Sequence, residues 1–284
     1  MVISTATRFA PSPTGRLHLG HACSALIAHD FARERGGIFR LRIEDIDPGR
    51  CREEFVEAIF EDLRWLGLGW DGEVIRQSAR LPLYAAALEQ LRGMGLLYPC
   101  FCTRRDIAAS ASAPHGPDGP IYPGTCRRLA NGERERRMAS QPHCWRIDMA
   151  QAVSRTGPLS WHDSTAGYIA ADPLSHGDVV LARKDAPVAY HLAVTVDDAA
   201  QGITDVVRGE DLFAATHVHR LLQALLDLPT PAYHHHPLLR DAQGRRLAKR
   251  DGAPTLASLR AQGREPGQLI AELRMTNRMV GSVR

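Results

Sequence analysis

Long apolar runs are missing from this chain of 284 residues: none approaches the roughly 18 residues that a membrane-spanning helix requires. The opening Met1-Val2-Ile3-Ser4-Thr5-Ala6-Thr7-Arg8 lacks the basic start and apolar core of a secretion signal, so a cytoplasmic protein with no membrane partner is expected. Internal repeats and extended low-complexity tracts are also absent, which sets aside solenoids and long disordered linkers. Nor is there a strong excess of one charge. With 35 basic against 32 acidic residues, a formal net charge of +3 and a pI near 8.6, the total says little about nucleic acid, and the distribution matters more. Cysteines number six, and in a reducing compartment they argue against a disulfide framework. What remains, 44% apolar and 24% charged, suits a soluble globular protein of one or two domains.

Residues 5–10 alternate and run into a Pro/Gly loop, which predicts a strand and a turn. From 18 to 35, Leu19, Ala22, Leu26 and Ile27 share one helical face, and Gly36-Gly37 ends the pattern. Residues 38–44 alternate again, then Phe55, Ile59, Leu63 and Leu66 recur at helical spacing across 52–66. Tyr84, Leu88 and Leu91 mark another helix. This order predicts an α/β fold, a doubly wound parallel-sheet domain of Rossmann-like form, with ligands beyond the carboxyl ends of its strands. Composition changes near residue 100. We read 1–100 as the first half of the nucleotide-binding domain and 101–185 as an α+β insertion that interrupts the sheet. Residues 186–240 complete the sheet domain, and 241–284 form a basic loop and a short helical tail. Only 34 residues follow Arg250, too few for a further domain of ordinary size.

Four constellations could carry chemistry. His18 and His21, three apart, would share one side of a helix's first turn, where imidazoles and unpaired amides donate to phosphate oxygens. Gly20 between them lets a flat base approach the backbone. Two histidines on an ordinary surface helix would look the same, but the preceding Pro11-Ser12-Pro13-Thr14-Gly15 loop favours a nucleotide site. Lys249, in the basic loop Arg245-Arg246-Leu247-Ala248-Lys249-Arg250, is a candidate ammonium for charge on a transferring phosphoryl group; a solvated basic loop is the commoner fate. Arg8, Glu44 and Arg208 offer two guanidiniums and one carboxylate, the complement of free glutamate, unless they are three unrelated surface ion pairs. Cys100, Cys102 and Cys126 put three thiols within 27 residues, as a structural zinc would need. The fourth ligand stays open among Tyr122, His115, His143 and Cys144, and free buried thiols are the plainer reading. Arg104, Arg105, Arg127, Arg128, Arg134, Arg136 and Arg137 could form an RNA track or a solvated basic face.

Together these stretches resemble the catalytic half of class I aminoacyl-tRNA synthetases, the glutamyl branch in particular. The matching pieces are Arg8-Phe9-Ala10-Pro11-Ser12-Pro13-Thr14-Gly15, His18-Leu19-Gly20-His21 and Arg42-Ile43-Glu44-Asp45-Ile46-Asp47, followed by Ala189-Tyr190-His191-Leu192-Ala193-Val194-Thr195-Val196-Asp197-Asp198 and Val207-Arg208-Gly209-Glu210-Asp211-Leu212. The resemblance implies that Arg8, Phe9, Ala10, Pro11, Ser12, Glu44, Tyr190 and Arg208 hold glutamate. It implies that Pro11, Gly15, His18, Gly20, His21 and Lys249 handle ATP with its Mg2+, and that His18, His21 and Lys249 are catalytic. One signature departs from the usual Lys-Leu-Ser-Lys-Arg: here it reads Arg246-Leu247-Ala248-Lys249-Arg250, keeping the second lysine. In length the chain is similar to the truncated glutamyl-queuosine tRNA(Asp) synthetases, whose unusual tyrosine ligand is matched by Tyr122 four residues before Cys126. That likeness implies one structural Zn2+ on Cys100, Cys102, Tyr122 and Cys126. It also implies a monomeric ligase that converts L-glutamate and ATP to glutamyl-adenylate and passes glutamate to queuosine in the anticodon loop of tRNA(Asp). Three alternatives stand beside it: a shortened glutamyl-tRNA synthetase that charges an acceptor end, a small nucleotidylyltransferase, and a non-catalytic binder of tRNA or glutamate.

Overall fold

The structure, a computed structural model, describes residues 4–108, 115–116, 119–239 and 254–281. Strands Ala6–Phe9, Ile38–Ile43 and Ile75–Arg76 run parallel in that spatial order. A second group sets Asp205–Gly209 beside Ala232–His236 and then Ser160–Asp163, all parallel, with Gly167–Ala170 antiparallel at the edge. The groups meet where the Thr204 amide donates to the Ala6 carbonyl at 3.0 Å and the Ala6 amide donates to Thr204 Oγ1 at 2.8 Å. The expected doubly wound α/β sheet is therefore present. Ser160–Asp163, from within the 101–185 stretch, is built into it.

The Leu19–Arg33 helix makes the first crossover. Its buried positions are largely Ala22, Ala25, Ala28 and Ala32, small enough to bring the helix close, and Thr7 Oγ1 donates to the Ala28 carbonyl at 2.8 Å. Gly36 stops it in the left-handed region at φ +61°, and a Cβ on Gly37 would fall 2.3 Å from the Thr5 carbonyl oxygen. The chain can turn into the second strand only without those two side chains.

Side chains along the strands alternate between the two faces of the sheet. One face sends Phe39, Leu41, Ile43 and Val207 into a core with Leu26, Ile59, Leu63, Leu256 and Leu269. The other presents Arg8, Arg42 and Arg208 to the Tyr190–Ala200 and Ala215–Leu225 helices. Behind those helices lies a second core that includes Tyr84, Leu91, Ile147, Leu192, Leu221 and Leu222. Each fully buried Leu, Ile or Phe contributes roughly 1.5–3 kcal/mol relative to exposure. That margin lets three sheet positions carry guanidiniums where an aliphatic side chain is usual.

From the stretch read as an insertion, Cys144–Ile147 and Val180–Ala182 join Leu97–Cys100, which lies just before it, in an antiparallel sheet in which Cys100 stands opposite Cys144. A short hairpin pairs His115–Gly116 with Gly119–Pro120, and the Asn131–Ser140 helix follows. Among the described residues, no helix is long and apolar enough to cross a membrane.

Candidate functional site

A crevice of about 400 Å³ opens at the carboxyl ends of Ala6–Phe9 and Asp205–Gly209. Arg8, Phe9, Ala10, Pro11, Ser12 and Gly15 line it from the first strand and its loop. His18, Gly20 and His21 enter from the helix start, and Glu44, Tyr190 and Arg208 close the far side. The nucleotide set and the glutamate set named from sequence thus share one cavity. Lys249 lies outside the described residues, as does the rest of its basic loop. The described flanks are at the crevice: Leu239 lines it, while Thr255 bridges to His18 and the Leu256 amide donates to the Leu17 carbonyl at 2.9 Å.

His18 is the N-cap of the Leu19–Arg33 helix rather than a first-turn residue. Its Nδ1 accepts the Gly20 amide at 3.1 Å, and His21 Nδ1 accepts the His18 amide at 3.2 Å. Two imidazoles therefore make a reciprocal capping box, a job that Ser/Thr and Glu/Gln side chains usually share. Their ring centroids are 3.9 Å apart. Because each Nδ1 accepts a backbone N–H, each neutral ring carries its proton on Nε2, the tautomer that can donate to a phosphate.

The charge set of the sequence reading gains members. Arg8 is held by Asp198, with Nε at 3.0 Å from Oδ1 and Nη2 at 3.3 Å from Oδ2. Arg42, fully buried, donates to Asp198 Oδ1 at 2.7 Å, to Gln201 Oε1 at 2.8 Å and to Glu44 Oε1 at 3.2 Å. Asp197 takes Arg80, Gln77 and Tyr84 on its two oxygens. Burial opposes the charge of Asp198, yet the Arg8 and Arg42 guanidiniums outweigh it and hold its carboxyl below the usual range. Burial pushes the Glu44 carboxyl up, with Arg42 and Arg8 pulling the other way. The surface-ion-pair alternative fails: Arg8, Arg42 and Asp198 form one buried network that ends at Glu44 on the crevice.

Arg208 differs. Its partners are Tyr190 OH at 3.4 Å, Thr216 Oγ1 at 2.7 Å, the Leu212 carbonyl at 3.1 Å, and nitrogens of His235 and His219 at 3.2 and 3.4 Å. Among the described residues no carboxylate lies within ion-pair distance of it. Reading the sequence missed Arg42, Asp198, Thr216, His219 and His235. Arg42, Asp197 and Asp198 stood inside the matching stretches, and two acids closing an apolar helical run were a usable sign of buried pairing.

Cys100, Cys102 and Cys126 place their sulfurs within 4.8 Å of one another, in a set able to hold a metal ion. The Cys102–Cys126 separation of 3.6 Å is close to the edge, about 3.8 Å, of a tetrahedron with 2.3 Å zinc–sulfur bonds. Tyr122 OH lies 3.6 Å from Cys102 Sγ and accepts the Cys126 amide at 2.8 Å. Hydrogen bonding from its neighbours pulls the Cys100 thiol down, whereas burial pushes the Cys102 thiol up, so the case for a metal rests on geometry. Cys144 instead points its thiol at the Cys100 carbonyl, at 3.5 Å, and His143 packs against Phe101 and Trp145. The side chain of His115 lies outside the described residues. Three thiols and a phenol fit a tetrahedral ion. Of the candidate RNA track, Arg127 is tied to Asp178 at 2.9 Å, Arg137 to Glu133 at 2.7 Å, and Arg136 also to Glu133. Arg134 donates to two carbonyls; Arg105, Arg128 and Arg136 are exposed, and the side chain of Arg104 lies outside the described residues.

Comparison with known proteins places this geometry. The family described as tRNA synthetases class I (E and Q), catalytic domain, matches residues 4–280. The chain belongs to that family. It is therefore a ligase of the aminoacyl-tRNA synthetase type, as the resemblance implied. The chain is 51% identical to the glutamyl-Q tRNA(Asp) synthetase of Rhodobacter capsulatus, over 93% of this chain and 97% of that protein. Against the protein of the same name in Nocardia farcinica it is 47% identical, over 95% of this chain and 84% of the relative. Among solved structures it is similar to a glutamate tRNA ligase from Elizabethkingia meningosepticum in complex with its amino acid: TM-score 0.74, 30% identity, 88% of this chain and 52% of that one. The chain thus spans about half the length of that ligase.

Proposed function

We propose that this protein activates L-glutamate with ATP to give glutamyl-adenylate and passes the glutamyl group to queuosine in the anticodon loop of tRNA(Asp). The observation that carries the first step is the shared crevice: a paired-imidazole helix cap on one side, and on the other a buried Arg208 without a carboxylate partner among the described residues. One carboxylate of glutamate would lie on Arg208 and Tyr190, and the ammonium near Glu44. An oxygen of the α-carboxylate attacks the α-phosphorus of ATP, the bond to the bridging oxygen breaks, and pyrophosphate leaves. His18 and His21 donate to phosphate oxygens through Nε2–H, and the helix amides add to that field. Lys249 stands six residues before Thr255, which bridges to His18, and we assign its ammonium to the charge that develops on the phosphates. Mg2+ entering with ATP would offset part of the same charge. In the second step a hydroxyl of the cyclopentenediol attacks the glutamyl carbonyl carbon and AMP departs.

The acceptor is supported by the names of relatives 42–51% identical to this chain, each of which it covers over at least four-fifths of its length. Cys100, Cys102, Tyr122 and Cys126 would hold one structural Zn2+, which staples the chain around 97–147 and takes no part in the chemistry. Similarity to a glutamate tRNA ligase favours a second reading, charging of a tRNA acceptor end. Labelled glutamate with tRNA(Asp) bearing or lacking queuosine, and with tRNA(Glu), separates the two. Label on queuosine-containing tRNA(Asp) alone supports the proposal. Label on tRNA(Glu), indifferent to queuosine, contradicts it.

A further inference from the structure

Arg208 is buried, yet every acceptor around it is uncharged provided that His235 and His219 each turn an unprotonated nitrogen toward it. The tautomer of His235 is set from the far side of the ring. In the parallel pairing of Asp205–Gly209 with Ala232–His236, Arg208 lies opposite His235, so the two side chains share one face of the sheet. Asp163, at the end of Ser160–Asp163, brings Oδ2 to 2.8 Å from His235 Nδ1 and to 3.2 Å from the His235 amide. Its Oδ1 accepts the Thr165 and Ala166 amides at 2.9 and 3.0 Å. A carboxylate accepts and does not donate. The imidazole proton therefore sits on Nδ1, and the Nε2 lone pair meets Arg208 Nε at 3.2 Å.

The surroundings keep that ring neutral. Burial, then the Arg208 charge, hold His235 down at about 4, against the pull of Asp163. Trp161, Phe213 and Tyr233 pack round the imidazole, Tyr233 stacking parallel to it, so little water can relax the tautomer. Arg8 makes the contrast: its anchor is the Asp198 carboxylate, which fixes the guanidinium and also neutralises it.

We propose that Asp163 and His235 are positioning residues for the substrate carboxylate: the aspartate fixes the imidazole tautomer, and the neutral imidazole then orients Arg208 without cancelling its charge. The inference rests on the reading that Arg208 meets glutamate. It makes the 101–185 stretch, through Asp163, part of the amino-acid site.

The test uses glutamate-dependent ATP–pyrophosphate exchange, with KM measured separately for glutamate and for ATP. Asp163→Asn keeps its oxygen on the two turn amides and turns its N–H2 toward Nδ1, giving up the His235 amide and driving the ring proton to Nε2, against Arg208 Nε–H. His235→Asn leaves the place of Nε2 empty. His235→Gln puts a carbonyl oxygen back near it. The first two variants are expected to raise the glutamate KM about tenfold or more, the low end for a lost hydrogen bond to a charged group, while the ATP KM stays within about twofold. The glutamine variant should recover most of that loss, a rescue that a merely structural role would not give. Should Asp163→Asn not fold, the His235 pair decides alone. An unchanged glutamate KM in His235→Asn, or glutamate and ATP KM rising together, overturns the proposal. Arg208→Ala is the control on the underlying reading: if it leaves the glutamate KM untouched, that reading fails, whatever the His235 variants do.

Discussion

Replacing Asp198 by asparagine tests how the crevice is held open. The substitution keeps the shape of the side chain and deletes a charge that faces two guanidiniums. Oδ1 receives Arg8 Nε at 3.0 Å and Arg42 Nη1 at 2.7 Å, and Oδ2 receives Arg8 Nη2 at 3.3 Å. An asparagine oxygen can keep the first pair, but its N–H2 then faces Arg8 Nη2, donor against donor. Among the described residues Asp198 is the one carboxylate within ion-pair distance of Arg8, whereas Arg42 retains Glu44 at 3.2 Å and Asp197 at 3.8 Å. Removing one member of a buried ion pair costs about 3–5 kcal/mol. Against a total stability of about 5–15 kcal/mol, the variant should fold but lose roughly a third of its margin. Urea unfolding at pH 7 measures the loss. Its pH dependence carries the sign: the folded carboxyl titrates below its unfolded value near 3.9, so its contribution is complete above that value and is lost as pH falls through the folded one. Parent and variant should therefore converge below about pH 4. A loss under about 1 kcal/mol, or a difference that ignores pH, would refute the buried-network account.

Three further outcomes are expected. Elemental analysis of the purified protein should find about one zinc per chain, lost in Cys126→Ser together with several degrees of melting temperature; full retention of metal would remove Cys126 from the site. The melting temperature should fall as pH drops from 6.5 toward 4, because folded His235 titrates near about 4 and the unfolded chain takes the proton first. The His235 share is about 3 kcal/mol across that window, and His235→Gln should flatten the profile; an unaltered profile would show that other groups set it. Gly37→Ala, whose Cβ would meet the Thr5 carbonyl oxygen at 2.3 Å, should destabilise by about 1–3 kcal/mol in urea unfolding without changing the glutamate KM.

The fold was legible where side chains follow a period. Alternation over 38–44 and helical spacing over 52–66 gave elements within a residue or two of Ile38–Ile43 and Glu53–Trp65. Less legible was Ser160–Asp163: a four-residue strand holds too little of a period to show that it joins the main sheet. At the site, residues that line the crevice were readable because their loop chemistry is unusual, as in the run from Pro11 to Gly15. Their supports were not. Arg42, Asp198 and His235 are charged or titratable groups inside the protein, and sequence alone does not say which of many such residues are buried. His18 shows a subtler limit: the three-residue spacing to His21 was visible, but the reciprocal cap that sets both tautomers needed coordinates.

The central claim is that one crevice seats glutamate on Arg208 and a nucleotide on His18 and His21. A crystal structure with a non-hydrolysable sulfamoyl analogue of glutamyl-adenylate tests it most directly. The account predicts a carboxylate of the glutamyl part within about 3 Å of Arg208 and Tyr190, and the sulfamoyl oxygens facing Nε2 of His18 and His21. An analogue bound elsewhere, or bound with its carboxylate turned away from Arg208, would contradict it.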